Sequence, residues 1–285
     1  MLDRATVSLL WCPSCRKGGM EPRCVEDGNK LIRGVLVCES CRAEFRVDAG
    51  VAYLRASEQE NKEIWDTWRN HIEGFAARRA ARDPAVRAQG SPRWQRKMEA
   101  FGSFLDVPDG RVLDVGCGPG KIRQLLDPLR VQYYGVDPLP IEGVEEFPFV
   151  CALAEAIPFR SGTFSSVIVR SALDHFRDLD AFFKEATRVL TDDGRLFLEQ
   201  VIHDNAGPGD LVRNAAHFAK DIVDDLKTLR ERRSAPKHMH EFTRASLVKA
   251  VDRFFEVDRM QKYNTDWYSP TQLFLSLRRR ATVRA

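Results

Sequence analysis

Hydrophobic positions fall into two regimes along the chain. Up to about residue 56 they come in short alternations: Leu9-Leu10-Trp11, then Leu31 to Val37, then Phe45, Val47, Val51 and Tyr53, with a break at Gly50. This spacing predicts short strands and turns. From Ser57 the spacing becomes helical. Ser57 and Glu60 form a capping box, and Ile64, Trp65, Trp68, Ile72 and Phe75 follow until Asp83-Pro84 ends the pattern. A second helix is predicted from Ser91-Pro92, serine as N-cap and proline at the first helical position. It runs through Trp94, Met98 and Phe101 to about Leu105, before a turn at Val107-Pro108-Asp109-Gly110.

From Arg111 onward apolar runs alternate with helical spacing. Strands are predicted at residues 111–115, 132–136, 149–153, 165–170 and 195–201, with a helix at 180–190. A polar, partly helical stretch covers 210–233. Thr243 caps a helix ending near Phe255, and 255–260 and 272–278 form the last two strands. The alternation predicts a parallel sheet with helices on both faces. The chain thus divides into a β-rich segment at 1–56, a helical cap at 57–110 and an α/β domain at 111–285.

Composition narrows the class. The 285 residues are 44% hydrophobic and 30% charged, a soluble globular balance. No apolar run spans a bilayer, and the first ten residues do not form a secretory signal, so a cytoplasmic protein without a membrane partner is expected. Forty-four basic and 41 acidic residues leave a net charge of +3, which gives no general argument for nucleic acid.

The strongest motif is Arg-Val-Leu-Asp-Val-Gly-Cys-Gly-Pro-Gly at 111–120. A buried strand runs straight into Gly116, Gly118 and Gly120, where glycines let the backbone turn tightly and approach a ligand. The following helix is expected to offer free amides to an anionic group. Asp137 ends the next strand, about 20 residues on, where a carboxylate accepts from ribose hydroxyls. A dinucleotide fingerprint would need glycine or alanine where Lys121 stands.

With Asp114 two residues before the first glycine, the segment resembles the first motif of class I S-adenosylmethionine-dependent methyltransferases. Three further segments resemble that family in order: Ala154-Glu155-Ala156-Ile157-Pro158-Phe159, the strand from Phe164 to Arg170, and Glu185 to Leu190 followed by Gly194. The resemblance implies a Rossmann-like, seven-stranded methyltransferase sheet. It further implies that Asp114 and the glycine loop hold the methionine end of S-adenosylmethionine and that Asp137 holds the ribose. The family often has an aspartate just before its Ala-Glu pair; Leu153 stands there. The adenine contact is therefore expected from backbone near Ala154, from Glu155 or from another side chain.

Four of the seven cysteines form two Cys-x-x-Cys pairs, Cys12/Cys15 and Cys38/Cys41. In a reducing compartment such pairs point to metal before disulfides. Four thiolates make a closed tetrahedral site, so a structural zinc is expected, with iron as the chemical rival. Residues 9–54 resemble the Trm112-like zinc ribbons. Cys24, Cys117 and Cys151 are read as plain or core thiols.

The acceptor is expected beyond the carboxyl ends of the strands. Asp174 and His175, just after strand four of the α/β domain, are the candidate catalytic pair: an imidazole base, which titrates near neutral pH, and its orienting carboxylate. Glu199, His203 and Asp204 reach the same edge, and His238 and His240 are placed to close it from the far side. The aromatics of the two N-terminal helices read as packing or as acceptor wall. Arg78, Arg79, Arg82 and Arg87 read as a solvated face or a grip for an anionic acceptor or RNA. No Asn/Asp-Pro-Pro-Tyr/Phe or Pro-Cys motif follows strand four, which disfavours adenine or glutamine amino-group and cytosine C5 chemistry. Three functions remain in view. The leading one is methyl transfer to oxygen or nitrogen of a small metabolite. The others are methylation of an rRNA or tRNA base, and a non-catalytic methyltransferase-like partner.

Overall fold

The computed structural model describes residues 1–55, 70, 72–74, 92–139, 146–204, 215, 238–266 and 270–280. The helix predicted after Ser57, the basic run from Arg78 and the stretch 210–233 lie outside these residues, except for 70, 72–74 and 215.

Eleven strands form one sheet. They are β1 (Met20–Asp27), β2 (Lys30–Cys38), β3 (Glu44–Asp48), β4 (Val51–Tyr53), β5 (Gly110–Val115), β6 (Val131–Asp137), β7 (Phe149–Cys151), β8 (Phe164–Arg170), β9 (Leu190–Ile202), β10 (Phe255–Tyr263) and β11 (Thr271–Arg279). Their order is β1-β2-β3-β4-β7-β6-β5-β8-β9-β11-β10. The last seven positions are the expected seven strands. Five of them run parallel, and β11 inserts antiparallel between β9 and β10. The difference from expectation lies at the other side. The N-terminal strands extend the same sheet: β4 pairs in parallel with β7, Ala52 opposite Val150 and Tyr53 opposite Cys151.

Alternation along the strands sends side chains to opposite faces. Val112, Ile168, Phe197 and Phe274 pack in one apolar cluster, while Leu113, Val167, Leu196 and Leu273, each one residue away, pack in the other. Both faces are therefore buried, which is why these strands read as nearly continuous apolar runs. Helix α2 (Pro92–Phe104) covers the first face, with Phe101 and Phe104 ring centroids 5.2 and 5.7 Å from that of Phe274. Helices α3 (Leu179–Val189) and α4 (Arg244–Asp252) cover the second. Each begins on a side-chain cap: Asp178 accepts from the Ala181 amide, and Thr243 and Ser246 form a reciprocal box.

Two N-terminal elements were not expected. Helix α1 (Arg4–Leu9) starts where Asp3 accepts from the Thr6 amide at 2.6 Å. At six residues it is too short to show a helical period. Strand β1 is largely polar and exposed, and contains Pro22, which an edge strand tolerates. No helix among the described residues is long and apolar enough to cross a membrane.

Candidate functional site

The parallel strands all end at one edge, and the motif residues collect there. Strand β5 delivers Asp114 and then the glycine loop. Gly116, Gly118 and Gly120 have φ of +73°, +51° and +66°, a region that side chains rarely enter. The loop is also close-packed: a Cβ on Gly116 would lie 2.5 Å from the Ala172 methyl, and one on Gly120 2.5 Å from the Phe147 ring. The helix expected after the loop is a five-residue 3₁₀ turn (Lys121–Leu125), so the loop itself, not a helix end, supplies the local amides.

Asp137, at the end of β6, is buried and reaches back to this loop. Its Oδ2 accepts from the Gly118 amide and its Oδ1 from the Leu139 amide, both at 3.0 Å. Asp114 is buried beneath the loop, and Tyr133 donates to its Oδ2 at 2.5 Å. Burial pushes the Asp114 carboxyl up to about 7, against the downward pull of that hydroxyl and of Arg170. Leu153, where the resembled family often carries aspartate, lies in a small apolar cluster with Ile72, lined by Leu139 and Met239. Ala154 and Glu155 form the next one-turn helix (Ala154–Ala156), and Glu155 is buried. Its Oε1 accepts from the amides of Arg177 and Asp178 at 2.6 and 3.1 Å, so this carboxylate ties the turn to the start of α3.

The edge expected to face an acceptor follows β8. Ser171 adopts φ +49° without being glycine, a conformation that persists only where its surroundings hold it. Its hydroxyl lies 3.0–3.1 Å from both oxygens of Glu199, which also pairs with Lys97 at 3.0 Å and Arg170 at 3.5 Å. Trp94 of α2 sits between two cations, with Lys121 Nζ 4.8 Å and the Arg170 guanidinium 5.2 Å from its ring centre. Asp174 and His175 lie in the next one-turn helix (Leu173–His175), whose start touches Gly116 through Ala172. Asp174 is buried, and its Oδ2 is 2.5 Å from His238 Nδ1. Burial pushes its carboxyl up, but the His238 bond and the two nearby imidazoles outweigh this and hold it below the usual range. The rings of His175 and His238 stack with centroids 5.1 Å apart. Beyond β9 the His203 amide donates to Phe242 O, and the Asp204 carboxylate pairs with Lys262 at 2.8 Å.

The two cysteine pairs converge. Cys12 Sγ lies 3.7 Å from Cys41 Sγ, and Cys15 Sγ lies 3.6 Å from Cys38 Sγ. Bonds of about 2.3 Å to a tetrahedral centre would separate thiolates by about 3.8 Å. The amides of Ser40 and Cys41 point at Cys38 Sγ at 3.4 Å, and a Cβ on Gly18 would strike that sulfur at 2.7 Å. Burial pushes the Cys12 thiol up to about 12, while the Gly18 and Lys17 amides bring Cys15 down to about 6. The donor set fits a structural ion closed to solvent ligands. The knuckle is bound to the α/β domain: the Trp11 amide donates to Pro158 O, the Arg160 amide to Leu9 O, and Arg16 pairs with Glu185 at 3.2 Å.

Three features of this site carry no signal in the sequence. The Asp174–His238 bond joins residues 64 positions apart, and no local spacing signals it. Tyr133 as the partner of Asp114 was hidden in an apolar strand. Lys97 and Arg170 gave no motif, although both are charges next to apolar faces.

Comparison with known proteins supports a methyltransferase-type fold. The methyltransferase-domain family matches residues 86–255. The methyltransferase YcgJ of Bacillus subtilis is 31% identical over 46% of this chain and 51% of its own length. The ubiquinone biosynthesis O-methyltransferase of Xanthomonas oryzae pv. oryzae is 27% identical over 45% of this chain and 54% of its own. The chain thus spans about half the length of these relatives. Among solved structures, the fold resembles 1,6-didemethyltoxoflavin-N1-methyltransferase of Burkholderia thailandensis, solved with 1,6-didemethyltoxoflavin and S-adenosylhomocysteine. That likeness has a TM-score of 0.56 and 14% identity, and covers 87% of this chain and 99% of the other. It also resembles a chain of the Haloferax volcanii complex between the Trm112 methyltransferase activator and a methyltransferase, with a TM-score of 0.53 and 15% identity, covering 76% of this chain and 99% of the other.

Proposed function

Because the chain belongs to the methyltransferase-domain family, we propose that it transfers the methyl group of S-adenosylmethionine to a small-molecule acceptor, at oxygen or nitrogen. The observation that carries this reading is the Asp137 carboxylate bonded to the Gly118 amide inside a loop of three left-handed glycines. In this reading Asp137 accepts from the ribose hydroxyls. Asp114 and the loop at Gly116, Gly118 and Gly120 hold the methionine end. Backbone at Ala154 meets the adenine edge, with Ile72, Leu139, Leu153 and Met239 as an apolar slot for the ring. Glu155 supports that slot by fixing the turn, which leaves the adenine to backbone contacts.

Bound there, S-adenosylmethionine supplies a methyl group already activated by its sulfonium. The chain's own task is to hold the accepting atom in line and to exclude water, and positioning of this kind carries much of a two-substrate rate. Asp174 and His175 stand where the acceptor's proton must leave, directly beyond the strand next to the glycine loop. Cys12, Cys15, Cys38 and Cys41 hold a structural zinc, and the ribbon acts as a Trm112-like module built into the same sheet.

Acceptor class is tested by incubating the protein with methyl-tritiated S-adenosylmethionine and a cell extract separated into small-molecule, RNA and protein fractions. Label is expected in the small-molecule fraction. Label in the RNA fraction, removed by ribonuclease, would overturn the assignment of acceptor class.

A further inference from the structure

One cluster beside the acceptor edge has more chemistry than a proton relay requires. Asp174, His175 and His238 each offer a ligand atom, and the three atoms lie within 4.8 Å of one another. Asp174 is buried, yet its Oδ1 has no hydrogen-bond partner among the described residues. A buried carboxylate oxygen without a donor is unfavourable, and a cation would satisfy it. The donors are held by backbone: Asp174 O accepts from the amides of Met239 and His240 at 2.8 and 3.2 Å, which pins the segment carrying His238 against the end of β8. His240 Nε2 bonds Phe176 O at 2.9 Å and fastens the same segment a second time.

We propose that Asp174, His175 and His238 form a binding site for a first-row divalent cation, separate from the four-cysteine centre. Two imidazoles and one carboxylate are a donor set for such ions, and three protein ligands leave coordination positions open. The four-thiolate centre is full; this one is not. Its place fits a role in the reaction. Ala172, two residues before Asp174, touches Gly116 of the cofactor loop, so an ion here would sit beside the methionine end of the bound cofactor. Its open positions would take water or an oxygen of the acceptor. That use rests on the methyltransferase reading above; the cation site itself does not. In this form of the reading the two imidazoles are ligands, not bases.

The test is a titration of the full-length, zinc-loaded protein with Mn²⁺, a hard ion that four thiolates hold poorly, followed by electron paramagnetic resonance of the free ion. The wild type is expected to take up one Mn²⁺ per chain. D174N and H238A should each weaken uptake by at least about tenfold, the scale seen when a metal's supporting contacts are removed. His238 has a side chain 46% exposed, so H238A is the milder substitution and decides the matter if D174N does not fold. Absence of saturable uptake in the wild type would overturn the proposal, as would equal uptake by wild type and H238A with matching melting temperatures. Calorimetry with S-adenosylhomocysteine on the same samples separates the two readings. Retained cofactor binding without Mn²⁺ uptake removes the cation site alone; Mn²⁺ uptake without cofactor binding removes the methyltransferase reading alone.

Discussion

Asp114 is under two opposing demands. Burial favours its neutral form and raises its carboxyl to about 7, while its proposed partner, the cofactor's α-ammonium, requires the charged form. The sign of the consequence follows. Between the ordinary carboxylate range and about 7 the folded chain holds a proton here that the unfolded chain has lost. The group thus favours folding at low pH, and that contribution disappears as pH rises through 7. Ligand binding runs the other way, because an ammonium beside Asp114 expels the proton. Affinity for S-adenosylhomocysteine should therefore rise between pH 5.5 and 7, by up to roughly tenfold per unit for one released proton. Calorimetry in buffers of different ionisation enthalpy should register that proton. D114N should bind more weakly and show no such slope. A flat profile in the wild type would mean that Asp114 does not face the ammonium.

At the level of elements, the cysteine knuckle and the segment after Ala154 are mechanically one unit. Leu9, Trp11 and Arg160 tie the ribbon to the segment that follows Ala154, and β4 closes the sheet on β7. Loss of the metal should disturb both. Purified protein should contain one zinc at the cysteines, and Cys38→Ser, which removes a thiolate and the acceptor of two amides, should lower the Tm. Each 1 kcal/mol corresponds to about 2–4 °C in a chain of roughly this size. S-adenosylhomocysteine binding should weaken in the same variant. Four freely alkylated thiols in a folded, metal-free protein would contradict this. These elements also mark what the sequence makes legible. The strands of the α/β domain and helix α3 announce themselves because both sheet faces are buried and the apolar periods are long. Strand β1 and helix α1 do not: one is polar at an edge, the other is a single capped turn and a half. The β4–β7 pairing was equally invisible, since two three-residue strands about a hundred positions apart carry no pattern that names their partner.

For the molecule as a whole, the candidate site was legible where it is local and hidden where it is assembled. Asp114, the three glycines and Asp137 are legible as candidates because a strand-to-loop motif needs those residue types in that order, and the structure brings Asp137 to the Gly118 amide. Glu155 looked equally local, yet its carboxylate serves the start of α3. His238 joins Asp174 only because the chain returns across the sheet edge near residue 238. A single continuous sheet thus carries the four cysteines toward one side and the glycine loop in the middle, and the proposed function rests on cofactor binding at that loop. Its most direct test is calorimetric titration of the wild type and Asp137→Ala with S-adenosylhomocysteine. The wild type should bind one equivalent. Removing the acceptor of two ribose hydroxyls, at about 1.5–3 kcal/mol for bonds to a charged group, should weaken binding by roughly 10- to 150-fold. No binding by the wild type, or equal affinity in a folded Asp137→Ala, would contradict the account.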